Sequence, residues 1–316
     1  MSVPTVPDSG RWAASRAVAW LKTARTLNNR MSLVSRSRST VFGLMVGISA
    51  LGTAAFAIRQ RHVAQRVRDY TASVQESATP ANADPYEQRD VEDLPLPVRR
   101  YFETVLQEGQ QHVTQVRLTQ AGQFRLGGAD AAWHPFTARQ IYSVSPPGFI
   151  WDAEIELAPL VSARVLDAYV DDEGLLRANL FGAIPVASAG PDRQMNEAEL
   201  QRYLSETPWF PTALLPAAGV SWDGIDDRTA RATISGGDVT ASGEFHFDKS
   251  GYLRRLTADR YRQDTDTTSP WVGRYGTYEK RNGMEIPTEA EVGWETAEGA
   301  VPYWRGEITE IEYRTG

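Results

Sequence analysis

From residue 112 onward the chain is largely a succession of short runs that alternate apolar and polar residues, most of them closed by a turn signal. In one run Phe149, Trp151, Ala153, Ile155 and Leu157 share a face, with Ile150, Asp152, Glu154 and Glu156 on the other. That is the period of a strand with one buried side. Runs of this kind lie at 136–144, 148–158, 162–171 and 175–184, then at 228–234, 238–248, 251–263, 271–281, 284–295 and 302–314. Between them stand Pro146-Pro147-Gly148, Asp171-Asp172-Glu173-Gly174, Ser235-Gly236-Gly237, Asp248-Lys249-Ser250-Gly251 and Arg281-Asn282-Gly283. Turns so closely spaced predict an antiparallel meander. A sheet of about ten or eleven strands must curl or close, since a flat one leaves edges and a face uncovered. The expected fold is mainly β (α+β), a large curled antiparallel sheet or half-barrel with helices over its hollow.

Two helical segments accompany the strands. Val98, Tyr101, Phe102, Val105 and Leu106 repeat as an amphipathic helix ending at Gly109, with Pro97 near its first turn. A second helix is expected with Asn196 as cap, Glu199 three residues on, and Leu200, Tyr203 and Leu204 along one side. Thr207-Pro208 stops it. The following Trp209-Phe210-Pro211-Thr212-Ala213-Leu214-Leu215-Pro216 is apolar and broken by prolines, which excludes a central strand. Residues 195–216 are therefore expected to form a plug or lid over the hollow.

Ahead of the sheet, Ser39 to Ile58 carry no charge, with Arg36 and Arg38 on one flank and Arg59, Arg61, Arg66 and Arg68 on the other. At helical rise this stretch covers about 30 Å, the hydrocarbon thickness of a bilayer. The expected order is a basic leader (1–38), a transmembrane helix or signal anchor (39–58), a basic stop and flexible linker (59–92), and the antiparallel β domain (93–316). A start at Met31 with Ala55-Phe56-Ala57 as a cleavage site is the alternative. Gly43 and Gly47 have the spacing of a helix-pairing motif, so a homodimer through them is a further expectation. In the leader, Ala13, Ala17, Trp20, Ala24 and Leu27 oppose Arg11, Lys22 and Arg25, the pattern of a helix lying on an anionic surface. This places the leader inside and the large domain outside, in the cell envelope.

Charge is divided between the two parts. Residues 1–84 carry a net +7 and residues 85–316 a net −14, together the −7 of the chain. A domain so acidic repels a phosphate backbone, so nucleic acid is not an expected partner. There is no cysteine, which excludes disulfides, thiolate nucleophiles and Cys-based metal sites. His62, His112, His134 and His246 show no metal-ligand spacing, and no cofactor-binding loop is present. Asp171, Asp172 and Glu173 read as a solvated turn before they read as a Ca²⁺ site. No metal and no cofactor are expected.

The candidate ligand-binding residues are aromatic and charged: Trp151, Arg202, Tyr203, Glu206, Trp209, Arg260, Arg274, Glu291, Trp294, Tyr303, Trp304 and Arg305. Arginine aimed into an apolar concavity needs a partner, and Glu291 or Asp152 is available. Arg202 and Glu206, one turn apart, read as an exposed pair bracing the lid.

Several of these segments form an ordered set. Leu94-Pro95-Leu96-Pro97-Val98-Arg99-Arg100-Tyr101-Phe102, Pro147-Gly148-Phe149-Ile150-Trp151-Asp152-Ala153, Arg202-Tyr203-Leu204-Ser205-Glu206, the Trp209–Pro216 segment and Pro302-Tyr303-Trp304-Arg305-Gly306 together resemble an uncharacterised prokaryotic family over residues 90–316. Its members join a membrane segment to a domain of unknown function, and the resemblance implies no activity or catalytic residues. The expected architecture also resembles that of periplasmic lipoprotein carriers. The leading expectation is a membrane-anchored binding protein sheltering a lipid or other apolar small molecule. Two alternatives remain: an enzyme using Arg260, Arg274, Glu291, Tyr303 and Arg305 as an Arg/carboxylate/Tyr pocket, and a structural assembly module at the membrane.

Overall fold

The structure, a computed structural model, describes residues 38–82, 84–262 and 265–316, with side chains from residue 53 onward. It opens with a forty-residue helix, α1 (Arg38–Ser77). The leader, Met31 and the side chains of Gly43, Gly47 and the rest of 39–52 lie outside the described residues. Among the described residues no helix is long and apolar enough to cross a membrane.

The second half of α1 is docked on the domain. Val67, Tyr70 and Val74 pack against Ile141, Ile150, Leu166, Ala168, Val170 and Leu175 on the outer face of the sheet. Ser73 donates to the Asp171 carboxylate at 3.0–3.1 Å. Farther along, Tyr86 and Val91 are fully buried in the main core, and the Tyr86 amide donates to the Gln110 carbonyl. The flexible linker expected over 59–92 is thus largely ordered. Val67, Tyr70 and Val74 form a sparse i, i+3, i+7 stripe, enough to seat a helix amid polar residues. The next helix, α2 (Leu96–Val105), matches its expectation, with Pro97 in the first turn and Val98, Tyr101, Phe102 and Val105 buried.

Thirteen strands follow, all antiparallel in one sheet. They are β1 (Val113–Arg125), β2 (Trp133–Ser143), β3 (Gly148–Ala158), β4 (Val161–Val170), β5 (Glu173–Leu180) and β6 (Ile184–Ala189). After a helical crossing come β7 (Ser221–Gly224), β8 (Thr229–Gly236), β9 (Val239–Phe247), β10 (Leu253–Arg262), β11 (Thr267–Arg281), β12 (Met284–Thr296) and β13 (Gly299–Thr315). Their order is β6-β5-β4-β3-β2-β1-β13-β12-β11-β10-β9-β8-β7. The sheet has two or three more strands than the sequence predicts. The runs above omit β1, β6 and β7. Pro185 in β6 is tolerated because that strand is an edge, and β7 is an edge of only four residues.

The two meanders join at β1 and β13, with Val116 opposite Tyr313, Gly122 opposite Gly306 and Phe124 opposite Trp304. A Cβ on Gly122 would lie 2.2 Å from the Arg305 carbonyl oxygen, so only glycine fits the centre of this junction. The edge strands β6 and β7 are consecutive in the chain yet farthest apart in the sheet. The chain links them through α3 (Arg193–Glu206) and three single-turn 3₁₀ helices, Thr207–Trp209, Pro211–Leu214 and Pro216–Ala218. α3 begins one turn earlier than expected: Asp192 caps it by accepting from the Met195 amide at 2.9 Å. Asn196 instead accepts from the Gly174 amide at 2.8 Å and pins the helix to β5.

Candidate functional site

Alternation decides what faces the hollow. On β3 the inner row is Phe149, Trp151, Ala153, Ile155 and Leu157, with Asp152 outside in a two-pronged bond to Arg164 at 2.7 Å. Asp152 therefore serves an outer-face arginine and none in the hollow. Opposite β3, the inner rows of β10 to β13 carry Arg260, Trp271, Tyr275, Trp294 and Trp304. α3 lies between these walls. Gln201 ties it to the wall by donating to the carbonyls of Ser242 and Asp259, and Tyr275 donates its hydroxyl to the Ser205 carbonyl at 2.7 Å.

A charged cluster is enclosed where α3 meets the sheet. The Arg202 guanidinium pairs with Asp167 on β4 and, at 2.9 Å, with Glu206 one turn along α3. It also lies 5.0 Å from the ring centres of Phe149 and Trp151. Glu206 accepts further from Gln140 at 2.7 Å and Tyr142 at 2.9 Å. Across the helix Glu199, only 2% exposed, faces Arg260 at 3.5 Å. The pair expected to be an exposed brace is thus the centre of a buried network. Burial pulls the Arg202 guanidinium down, but Glu206, Asp167 and Glu199 outweigh it and hold the group above its ordinary value.

Three carboxyls share two guanidiniums here, so one carboxyl is in excess. Burial first, and the nearby Asp167 charge second, raise the Glu199 pKa well above the ordinary carboxylate value. A raised folded-state value means that its contribution to stability is complete below the unfolded value and is lost as pH rises toward the folded one. Glu199→Gln keeps the shape of the protonated form without the titration. Its melting temperature relative to the parent should therefore rise as pH climbs above the ordinary glutamate value of 4.5. An offset independent of pH, in paired thermal melts, would show that Glu199 does not titrate in this way.

The Trp209–Pro216 segment is packed as core. Trp209, Phe210, Leu214 and Leu215 are all at most 4% exposed. Phe210 lies 4.7 Å from the Tyr142 ring centre and 6.0 Å from that of Tyr203. The Thr212 hydroxyl accepts from the Val113 amide, Tyr313 donates to the Trp209 carbonyl, and Trp222 donates to that of Leu214. A movable lid would not be tied to the sheet at so many points. This segment plugs the hollow.

One end of the inner face is less completely covered: Phe124, Leu157, Trp294 and Tyr303 pack on the core there yet remain partly exposed. Tyr303 stacks on Trp294 at 5.9 Å, meets Phe124 at 6.0 Å, and accepts from the Trp271 indole at 2.9 Å. Arg260 stands over the Trp271 ring at 5.5 Å and Arg262 over Trp294 at 5.1 Å. The arrangement is an apolar mouth with two guanidiniums on aromatic faces beside it, suited to an apolar body with an anionic end.

Of the residues singled out from sequence, Trp151, Arg202, Tyr203, Glu206, Trp209, Arg260, Trp294, Tyr303 and Trp304 fall on the inner side. Arg274, Glu291 and Arg305 do not. They form a cross-strand row with Gln123 on the outer face, along a shallow furrow of about 540 Å³. Arg274 and Glu291 are 3.6 Å apart, and Arg305 bonds Gln123 and covers Trp133 at 4.5 Å. The acid–base grouping of Arg260, Arg274, Glu291, Tyr303 and Arg305 is therefore split between two faces of the sheet. His246 is also outside, bonded to Thr257 at 2.9 Å and Thr229 at 3.3 Å. Sequence reasoning missed Asp167, Glu199, Gln140, Phe124 and Leu157 as site residues. Asp167 had a signal: it interrupts the apolar inner row Ala163, Val165, Tyr169 of its strand.

The fold and this site define a curled antiparallel half-barrel, plugged by its own crossing segment and open at an aromatic mouth. The chain belongs to the family of unknown function DUF6920, whose model matches residues 92–313. Among solved structures it is similar to a LolA superfamily protein from Nitrosomonas europaea, at 11% identity over 70% of this chain and 93% of that one, with a TM-score of 0.36. It is also similar to a beta-barrel-like protein of the domain of unknown function DUF1849 from Brucella abortus, at 8% identity over 65% and 99%, with a TM-score of 0.27. A porin-like protein from Bacteroides uniformis matches at 10% identity over 65% and 96%, with a TM-score of 0.23. No curated protein matches the sequence.

Proposed function

We propose that this chain is a membrane-anchored binding protein that holds an apolar or amphiphilic ligand at the open end of its half-barrel. The observation that carries the reading is the mouth itself: Phe124, Leu157, Trp294 and Tyr303 are packed on the core from below and uncovered above. Aromatic and aliphatic side chains left partly bare in one concave place mark a ligand site more often than a solvated surface. The uncharged stretch 39–58, flanked by arginines, supports a single-pass anchor in the cell membrane, with the domain on the outer side. Pairing of two copies through Gly43 and Gly47 belongs to the same reading.

The test uses the full chain in detergent, with native mass spectrometry for co-purified lipid and titration with a fluorescent fatty acid. Trp294→Ala should weaken binding by about tenfold or more while shifting the melting temperature little, because the ring is only partly buried. A chain that carries no lipid and binds no fatty acid would sink the reading. So would a Trp294→Ala variant that binds like the parent.

A further inference from the structure

Eight large apolar side chains stand exposed among the described residues. Two of them, Leu96 and Ile225, lie on α2 and in the β7–β8 turn. The other six, Ile58, Leu126, Leu160, Phe181, Ile184 and Val186, gather at the opposite end of the β1–β6 half, at hairpin tips, along the edge strand and on α1. Leu126 follows β1, Leu160 is the tip between β3 and β4, and Phe181 opens the turn between β5 and β6.

Two of these positions are unfavourable twice over. Leu160 is 98% exposed and holds φ 65°, and Phe181 is 40% exposed with φ 53°. Left-handed backbone suits Gly or Asn, and a bulky apolar side chain there is both strained and wetted. A turn serving only to reverse the chain in water would carry neither residue. The same end holds the aromatic mouth, since Phe124 and Leu157 close the strands that Leu126 and Leu160 follow.

α1 passes this end at a defined height. Gln60 donates to the Phe181 carbonyl at 2.9 Å, and a cleft of about 440 Å³ lies between Ala57, Gln60, Arg61 and Ala64 on the helix and Arg164 and Gly182 on the sheet. Toward its N-terminus the helix continues beyond Gln60, and the uncharged stretch ends at Ile58, two residues before the contact with Phe181. Arg59 and Arg61 follow at once, where anionic headgroups would meet them.

We propose that these hairpin tips, Leu126, Leu160, Phe181 and Ile184, seat the domain in the headgroup–acyl boundary of a lipid bilayer, with the mouth of the half-barrel turned toward that surface. This rests on the anchored reading above and adds which end meets the lipid. A ligand then passes between bilayer and mouth with little exposure to water.

The absence of cysteine makes the test direct. Leu160→Cys and Ile225→Cys are made separately in the full chain, labelled with an environment-sensitive fluorophore, and reconstituted into phosphatidylcholine–phosphatidylglycerol vesicles. Flotation with the vesicles is measured on the same samples. Lipids carrying a nitroxide near the headgroup should quench the label at 160 at least about threefold more than the label at 225. Flotation with equal, weak quenching at both sites overturns this proposal and leaves anchoring intact. A label at 160 that is shielded from water yet unquenched means that a protein or a second copy covers the tips, and this overturns it too. A chain that fails to float removes the anchored reading together with the proposal.

Discussion

Arg202→Met should lower the stability of the domain by about 3–5 kcal/mol, because it leaves buried carboxylates without their cation. For a domain of this size that is a drop in melting temperature of about 6–20 °C. The expectation follows from geometry. Arg202 bridges Asp167 on the sheet and Glu206 on the helix, both nearly closed to solvent, and caps two aromatic rings besides. The apolar replacement fills the space and isolates the electrostatic loss. Arg202→Lys should fall between, since an ammonium cannot serve both carboxylates and the two rings in one planar fork. Thermal melts of the three proteins provide the check, and an unchanged melting temperature for Arg202→Met would show that water already reaches this network.

Trp209→Ala is the second large effect, about 3–5 kcal/mol, the range for removing a buried aromatic from a core. The ring is enclosed among Tyr142 and the other residues of the main core, and its own carbonyl is held by Tyr313. In whatever fraction stays folded, fatty-acid binding should persist, because the mouth at Phe124, Trp294 and Tyr303 does not contain Trp209. The opposite outcome, binding lost with the melt unchanged, would revive the segment as a movable cover and relocate the ligand beneath it.

The sheet is largely legible in the sequence because one-sided burial writes itself as alternation. Trp151 to Leu157 alternate without a break, Ile150 departs from the pattern because α1 covers the outer face there, and the strand lies where the pattern puts it. β6 and β7 escaped because edge strands have few neighbours to satisfy; Ile184, Pro185 and Val186 can stay exposed there. The helix over 59–77 leaves little trace in the sequence because three apolar residues spread over two turns seat it without giving it amphipathic contrast. The site was less legible than the fold. Arg202 and Glu206 look like any i, i+4 surface pair, and only the path of the crossing segment through the hollow buries them. Arg274, Glu291 and Arg305 show the reverse: clustered in the sequence pattern, they fall on the outer face because each strand's parity is set by its neighbours.

The junction of β1 with β13 also governs when this protein can be finished. Gly122 and Gly306 are neighbours in the sheet and nearly two hundred residues apart along the chain, and the Gly316 amide reaches back to the His112 carbonyl. On the ribosome the first meander is complete while the second is still unmade, and β1 waits with a bare edge. The central ladder closes only when the final strand emerges. Until then the half-built sheet offers that edge to any other chain. Losing β13 would remove the middle of the sheet and not its margin, so it is a strand this fold cannot spare.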